Sequence, residues 1–320
     1  MPQFVLIRIS FVVPSAFSAA LRRREPLRSP GQTDALRLID GPGDGAEFVG
    51  WSLEDYAGRW LVQTDVRLVQ APPAWLREVT PAPASIYWKQ LEKENRQAPV
   101  HWHGEVIPAP FEVHEGGALY HIDFAAGYSQ GIFLDQRENR RRVRKLARAG
   151  AKTVLNLFSY SCAFSVVAAL GGAFTSSVDL SKRYLEWGRE NFRLNDLAHE
   201  AHEFFAGDVF DWLRRFAKKG RRFDLVIADP PTFSRDRDGG IFRVERDYSR
   251  LAAMCAPLVA DGGTLFCSTN HRALAAGELQ STLAISLGPG WRLAPGTMPP
   301  DFTGEPYLQS VWASRMGTAV

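Results

Sequence analysis

The stretch Val154-Leu-Asn-Leu-Phe-Ser-Tyr-Ser-Cys-Ala-Phe-Ser165 decides how the rest of the chain is read. An apolar run of strand length ends in small polar residues, and the pattern then turns helical. Three later segments repeat that form: Ser177-Val-Asp-Leu-Ser181, Gly207-Asp-Val209 and Ala228-Asp-Pro-Pro-Thr-Phe-Ser234. Their intervals suit strand–helix–strand units, and such units build a mostly parallel, doubly wound α/β sheet. In a sheet of that kind a ligand lies in the crevice outside the carboxyl ends of the strands.

Outward from that stretch, strands are predicted over 153–158, 174–178, 203–206, 223–228 and 263–268. Helices are predicted over 163–170, 182–194, 209–218, 244–259 and 273–285. Residues 307–313 alternate and read as a late antiparallel strand. An arginine-rich helix runs from Arg137 to about residue 149. Before it the period changes. Strands are predicted over 36–39, 60–63 and 85–88, with a proline-bounded short helix over 71–81. A loop rich in Pro and His covers 97–110, and a hairpin joins 111–114 to 118–124. The expected organisation is an uncertain leader over 1–14 and a small strand-rich α+β domain over 15–125, which opens on a basic helix over 15–27. A Rossmann-like domain follows over 126–320.

The 320 residues are enough for two domains with a large core. Apolar residues make up 45% and charged residues 23%, as in a globular, soluble chain. A net charge of +3 is too small to argue for nucleic acid by itself. Two local clusters, within 137–148 and 218–222, read either as solvated faces or as phosphate-binding surfaces. The three cysteines, Cys162, Cys255 and Cys267, form no CxxC pair, so a reducing, cytoplasmic compartment without a zinc site is expected. His101-Trp-His103 lacks further ligands nearby, so no metal is expected. No apolar run reaches the roughly 18 residues that cross a bilayer.

The strand ends carry the chemistry. Asn156, Phe158 and Ser159 lie where the first strand meets its turn. Asp179 ends the second strand, about 20 residues past that turn, the spacing of a carboxylate that accepts from both ribose hydroxyls. Asp208 follows the third strand, placed either to accept from an adenine amino group or to cap the next helix. The first turn holds no glycine, whereas a dinucleotide needs Gly-x-Gly-x-x-Gly there. S-adenosylmethionine (SAM) has no pyrophosphate and tolerates other small residues. After the fourth strand, Asp229-Pro230-Pro231 makes a rigid turn with outward carbonyls. It suits the polar edge of a planar base, and Phe233 is placed to stack on that base.

At these residues the chain resembles the class I SAM-dependent rRNA methyltransferases of the RlmI and RlmK/L type. Gly131-Ile-Phe-Leu-Asp-Gln-Arg137 resembles the family's segment over the cofactor, and Leu155-Asn-Leu-Phe-Ser-Tyr160 resembles its first strand. Ser177-Val-Asp-Leu-Ser181, Tyr184-Leu-Glu-Trp187 and Asp229-Pro-Pro-Thr-Phe-Ser234 look like the RlmK branch. The first 125 residues look like the family's middle domain. The resemblance implies that Phe133, Asp135, Gln136, Arg137, Ser161, Leu180 and Val209 join the strand-end residues in holding SAM. Asp229, Pro230, Pro231 and Phe233 would hold a base of 23S rRNA flipped out of its stack. Arg140, Arg141, Arg142 and Arg144 would contact RNA.

Two departures from the family pattern matter. Its first turn usually reads Tyr-Thr-Gly, and here Cys162 stands in place of the glycine. If that position needs a positive φ, cysteine costs roughly 1–2 kcal/mol there, and its side chain could crowd the methionine tail. A non-catalytic RNA-binding protein is therefore an alternative expectation. Methylation of cytosine C5 needs a thiolate to attack C6 first. The position that carries this cysteine in RlmI-type members holds Asn270, and Cys267 lies three residues earlier on the other face of the strand. Guanine N7 needs no covalent help, so it is the favoured acceptor, with cytosine C5 the alternative.

Overall fold

The computed structural model describes residues 13–28, 31–92, 97–235 and 241–316. Most of the expected leader, residues 1–12, lies outside the described residues. The chain divides into two compact units. One comprises residues 1–114, 122–130 and 301–304; the other comprises 115–121, 131–300 and 305–320. The division is interleaved rather than falling once after residue 125.

The first unit starts with α1 (Ser15–Arg24) and a 3-10 turn. Its five-stranded sheet runs in the order β1 (Ala35–Asp40), β2 (Trp51–Tyr56), β3 (Arg59–Asp65), β4 (Ser85–Leu91) and β5 (Val100–Gly104). Only β3 and β4 pair in parallel. Phe17 and Ala20 of α1 pack with Leu38, Trp60, Val62 and Ile86 in its core. Arg24 is 1% exposed and holds both Asp44 oxygens, at 2.6 and 2.8 Å. The loop expected over 97–110 contains β5. Both faces of this edge strand are largely exposed, so it has no apolar alternation to reveal it. The helix expected over 71–81 is only a 3-10 turn, Ala74–Glu78, because the flanking prolines leave no room for more. β6 (Phe111–Glu115) and β7 (Ala118–Ile122) follow, and the unit boundary runs through both.

The second unit contains the expected doubly wound sheet. Its elements are α2 (Arg137–Arg148), β8 (Thr153–Leu157), α3 (Ala163–Leu170), β9 (Phe174–Asp179), α4 (Lys182–Leu194), β10 (Glu203–Ala206), α5 (Val209–Lys218) and β11 (Phe223–Ala228). After these come a small hairpin, β12 (Phe233–Arg235) and β13 (Ile241–Arg243), then α6 (Val244–Cys255), β14 (Val259–Thr269), α7 (Glu278–Leu287), β15 (Trp291–Pro295) and β16 (Gln309–Arg315). The strand order is β10-β9-β8-β11-β14-β16-β15. The first five strands in that order are parallel, and β16 runs antiparallel between β14 and β15. The connections reverse direction between β8 and β11, so the switch-point crevice opens at the carboxyl ends of these two strands.

Local signals set the helix limits. Ser181 and Asp208 cap α4 and α5 by accepting from Tyr184 N and Asp211 N. The helix expected to reach residue 259 stops at Cys255, since Pro257 cannot donate to the ladder. The one expected from 273 begins at Glu278, after Gly277 in a left-handed conformation. In α2, Arg140 is 2% exposed. Its Nε and Nη2 donate to the two Glu115 oxygens at 2.6 and 2.7 Å, and its Nη1 donates to Phe133 O at 2.9 Å. Arg140 is thus a structural ion-pair residue and unavailable to RNA. Removing one member of a buried pair strands the other charge. Arg140→Met is therefore expected to cost about 3–5 kcal/mol in urea unfolding, more than Arg141→Met on the exposed face of the same helix.

Candidate active site

After β8 the backbone makes a turn in which every second residue is left-handed: Phe158 (φ 54°), Tyr160 (φ 47°) and Cys162 (φ 60°). Each such residue costs roughly 1–2 kcal/mol, so the surroundings must impose the shape. Ser159 N donates to Val178 O at 3.0 Å, and Cys162 N donates to Ser159 O at 2.7 Å. Tyr160 N donates to Asp179 Oδ2 at 2.8 Å, and Asn191 Nδ2 to Ser161 O at 2.9 Å. The Ser161 hydroxyl donates to Gly131 O, tying the turn to the segment before α2. The Tyr160 ring packs against Phe133, Tyr184 and Trp187.

Cys162 does occupy a left-handed position, but its side chain is directed toward α4. A Cβ at Gly188 would lie 2.4 Å from Cys162 Sγ and 2.8 Å from its Cβ. The absent side chain of Gly188 is the notch that receives the thiol. Burial pushes this thiol up to about 12, so it is an inert apolar group at neutral pH.

The strand-end acids differ in their engagement. Asp179 accepts from Tyr160 N on one oxygen and from Ser181 N at 2.8 Å on the other. Burial raises its carboxyl, and these two backbone bonds oppose the rise. Lone pairs remain for ribose hydroxyls, and the carboxylate plane is fixed before any ligand arrives. Asp208 caps α5 through Asp211 N at 3.0 Å, so its capping role is the one directly visible.

At the tip of β11, Asp229 is partly buried. Its Oδ1 accepts from Ser268 Oγ at 2.7 Å and its Oδ2 from Gln136 Nε2 at 3.0 Å. Asn139 Nδ2 donates to Gln136 Oε1 at 2.7 Å. Burial pushes the Asp229 carboxyl up to about 6. The Asp135 charge adds to that rise, and the Ser268 and Gln136 bonds and the Arg140 charge oppose it. Pro230 is buried, and Phe233 is 45% exposed with the Arg243 guanidinium 5.6 Å from its ring centre. A separate concavity of about 240 Å³ opens at the opposite, amino-terminal strand ends, lined by Asp224, Asp261 and the Gly262-Gly263 turn.

The carboxyl ends of β9, β8 and β11 lie side by side, with an oriented carboxylate at the end of β9 and a desolvated one at the tip of β11. A family model described as S-adenosylmethionine-dependent methyltransferase matches residues 69–287. The chain belongs to this family. Among relatives, ribosomal RNA large subunit methyltransferase K/L of Saccharophagus degradans is 38% identical over 63% of this chain and 26% of its own length. Ribosomal RNA large subunit methyltransferase K of Neisseria meningitidis is 34% identical over 72% of this chain and 65% of its own. The chain thus spans less than two thirds of these curated relatives. SMU.776, named as a methyltransferase and crystallised with S-adenosylhomocysteine, superposes with a TM-score of 0.82 at 28% identity, over 93% of this chain and 80% of that one.

For this methyltransferase-family chain, the structure sorts the expected site residues. Phe133 (43% exposed), Phe158, Ser159, Ser161, Asp179 and Leu180 gather at the turn and the end of β9. Asn156 lies beneath the turn, 1% exposed, donating to Ser165 Oγ at 2.9 Å. Val209 is a core residue at 4% exposure. Asp135 and Arg137 are each 8% exposed, and Asp135 accepts from Tyr307 Oη at 2.9 Å. The Gln136 amide serves Asp229, not the cofactor side where it was expected. Arg141 pairs with Glu138, Arg142 lies over Trp312, and Arg144 donates to Gly116 O. Sequence reasoning missed Ser268, Asn139, Gly188 and Arg243. Only Ser268, a polar residue near a strand end, carried a signal. Among the described residues no cluster of three or more metal-ligating side chains occurs, and no helix is long and apolar enough to cross a membrane.

Two outcomes follow from this geometry. Gly188→Ala should destabilise the chain by about 1–3 kcal/mol through overpacking. In the Cys162→Gly background the same change should cost much less, and a double-mutant cycle in thermal unfolding reads the coupling. Asp229→Asn should remove the pH dependence of stability between about 4 and 6. The folded carboxyl titrates above its unfolded value of 3.8, so its contribution is full below about 4 and is lost as the pH rises through about 6. Melting temperatures at pH 4 and pH 7 check this sign.

Proposed function

We propose that this chain transfers the methyl group of SAM to a base of large-subunit rRNA in the cytoplasm, with guanine N7 the favoured acceptor. The observation that carries the reading is Asp229: a desolvated carboxylate at the tip of β11, gripped by two donors and followed by a prolyl turn and an exposed aromatic ring. The names of the Saccharophagus and Neisseria relatives support rRNA as the acceptor.

The strand-tip cradle fits the cofactor. The first turn mixes small residues with the Phe158 and Tyr160 rings, Asp179 has lone pairs free for a ribose, and the turn lacks the glycines a pyrophosphate would need. SAM supplies an electrophilic methyl group on a sulfonium. The chain's own work is placement. The Phe233 ring supports the base, the prolyl turn fixes its edge, and Arg243 meets a flanking phosphate. The N7 lone pair attacks the methyl carbon in line as the carbon–sulfur bond breaks, and no proton has to leave. The purine becomes cationic, and the Asp229 carboxylate stabilises that charge in a site of low dielectric.

Two observations weigh against the alternatives. Cytosine C5 chemistry needs a thiolate, but Cys267 is fully buried in β14 with its thiol pushed up to about 12 by burial. A pocket closed by Cys162 is opposed by the seat of that side chain against Gly188.

Deletion of the gene is expected to remove one 7-methylguanosine from large-subunit rRNA, read by mass mapping. Wild-type protein should restore it and Asp179→Asn should not. The same variant should bind SAM about tenfold or more weakly in calorimetry, the loss of one charged hydrogen bond. A missing 5-methylcytosine instead, or undiminished SAM affinity, would contradict the reading.

A further inference from the structure

We infer that Asn139, Gln136 and Ser268 form a one-way hydrogen-bond relay that fixes Asp229 as a deprotonated acceptor facing the substrate. The inference rests on the reading of Asp229 as the acceptor-side residue, and it assigns three positioning residues to that site.

The direction of every proton follows from counting donors. Gln136 has one carbonyl oxygen and two amide hydrogens. Its Oε1 accepts from Asn139 Nδ2 at 2.7 Å, which fixes the amide's orientation. Both hydrogens on Nε2 are then committed, to Asp229 Oδ2 at 3.0 Å and to Ser268 Oγ at 3.1 Å. Because Ser268 Oγ accepts there, its single hydrogen goes to Asp229 Oδ1, 2.7 Å away. Turning the Gln136 amide over would set Oε1 against the carboxylate and Nε2 against the Asn139 donor. Protonating Asp229 would set its new hydrogen against a donor already in place or turn it outward.

Water cannot readily repair a break in the relay. Gln136 is 3% exposed, Asn139 2% and Ser268 0%. An orphaned donor in such a place costs about 1–3 kcal/mol. Tyr248 steadies the geometry, because its hydroxyl lies 3.0 Å from both Ala228 O and Ser268 O and so links the tips of β11 and β14. The other ionisable groups facing Asp229 are Asp135, Arg140, Tyr248 and Cys267. Asp135 accepts from Tyr307, and Arg140 is paired with Glu115. Burial keeps Tyr248 and Cys267 protonated through the neutral range. The relay is what counters the burial of Asp229 and leaves it charged where a cationic product forms.

The test is the pH dependence of methyl transfer, with deproteinised large-subunit rRNA from a deletion strain as the probe. In the wild type kcat/KM should rise through a limb near pH 6, and Asp229→Asn should abolish that limb. Ser268→Ala and Asn139→Leu should each move the limb upward by about one unit. That shift reads as a roughly tenfold loss at pH 6 that recovers by pH 8. Ser268→Thr, which keeps the donor, should hold the wild-type limb. SAM affinity of each variant, measured by calorimetry, reports an intact fold. Should Asn139→Leu fail to fold, Ser268→Ala against Ser268→Thr decides alone. A uniform loss at every pH with an unmoved limb would overturn the relay while leaving Asp229 in its role. A wild type without an Asp229-dependent limb would overturn the relay and the acceptor-side reading together.

Discussion

The hydrogen bond from Tyr160 N–H to the Asp179 carboxylate is the constraint around which the cofactor side is organised. Three left-handed residues in five are a poor local solution for an L-chain, and together they cost several kcal/mol. The turn keeps this shape because neighbouring elements each hold one of its groups: β9 through Val178 and Asp179, α4 through Asn191 and Gly188, and the segment before α2 through Gly131. The strain is local and its relief is tertiary. A strand tip is thereby opened to a ligand without glycine in the turn.

Across the crevice the same problem is solved in another currency. At β8 the difficulty is backbone geometry; at β11 it is charge. Asp229 is drawn out of water, where an isolated carboxylate would take up a proton, and two directed donors hold it against that tendency. Gln136 lies immediately before α2, so the helix that pairs Arg140 with Glu115 also presents the amide to Asp229. Electrostatic order on the acceptor side thus depends on a helix whose own buried charge is satisfied.

The parallel sheet could be read because its helices announce themselves. α3, α4, α5, β10 and β11 fall at their expected limits, helped by strand-end polar residues and by caps such as Ser181 and Asp208. β5 and β15 were invisible: each is a short edge strand with little alternation, and only its neighbour makes it a strand. The cofactor-side acids could be anticipated because strand ends point into one crevice. The partners of Asp229 could not, since Gln136 and Ser268 come from elements far apart in sequence. The arginine-rich helix misled for the same reason. Nothing within 137–148 says that Glu115 waits to bury Arg140.

The seat of Cys162 against Gly188 also constrains the order in which this chain can change. A glycine at 162 leaves 188 free to vary, but a sulfur at 162 can be accepted only once 188 carries no side chain. A side chain at 188 is then resisted for as long as 162 carries the sulfur. Two positions on different elements are thereby coupled, so that the residue tolerated at one depends on the residue at the other.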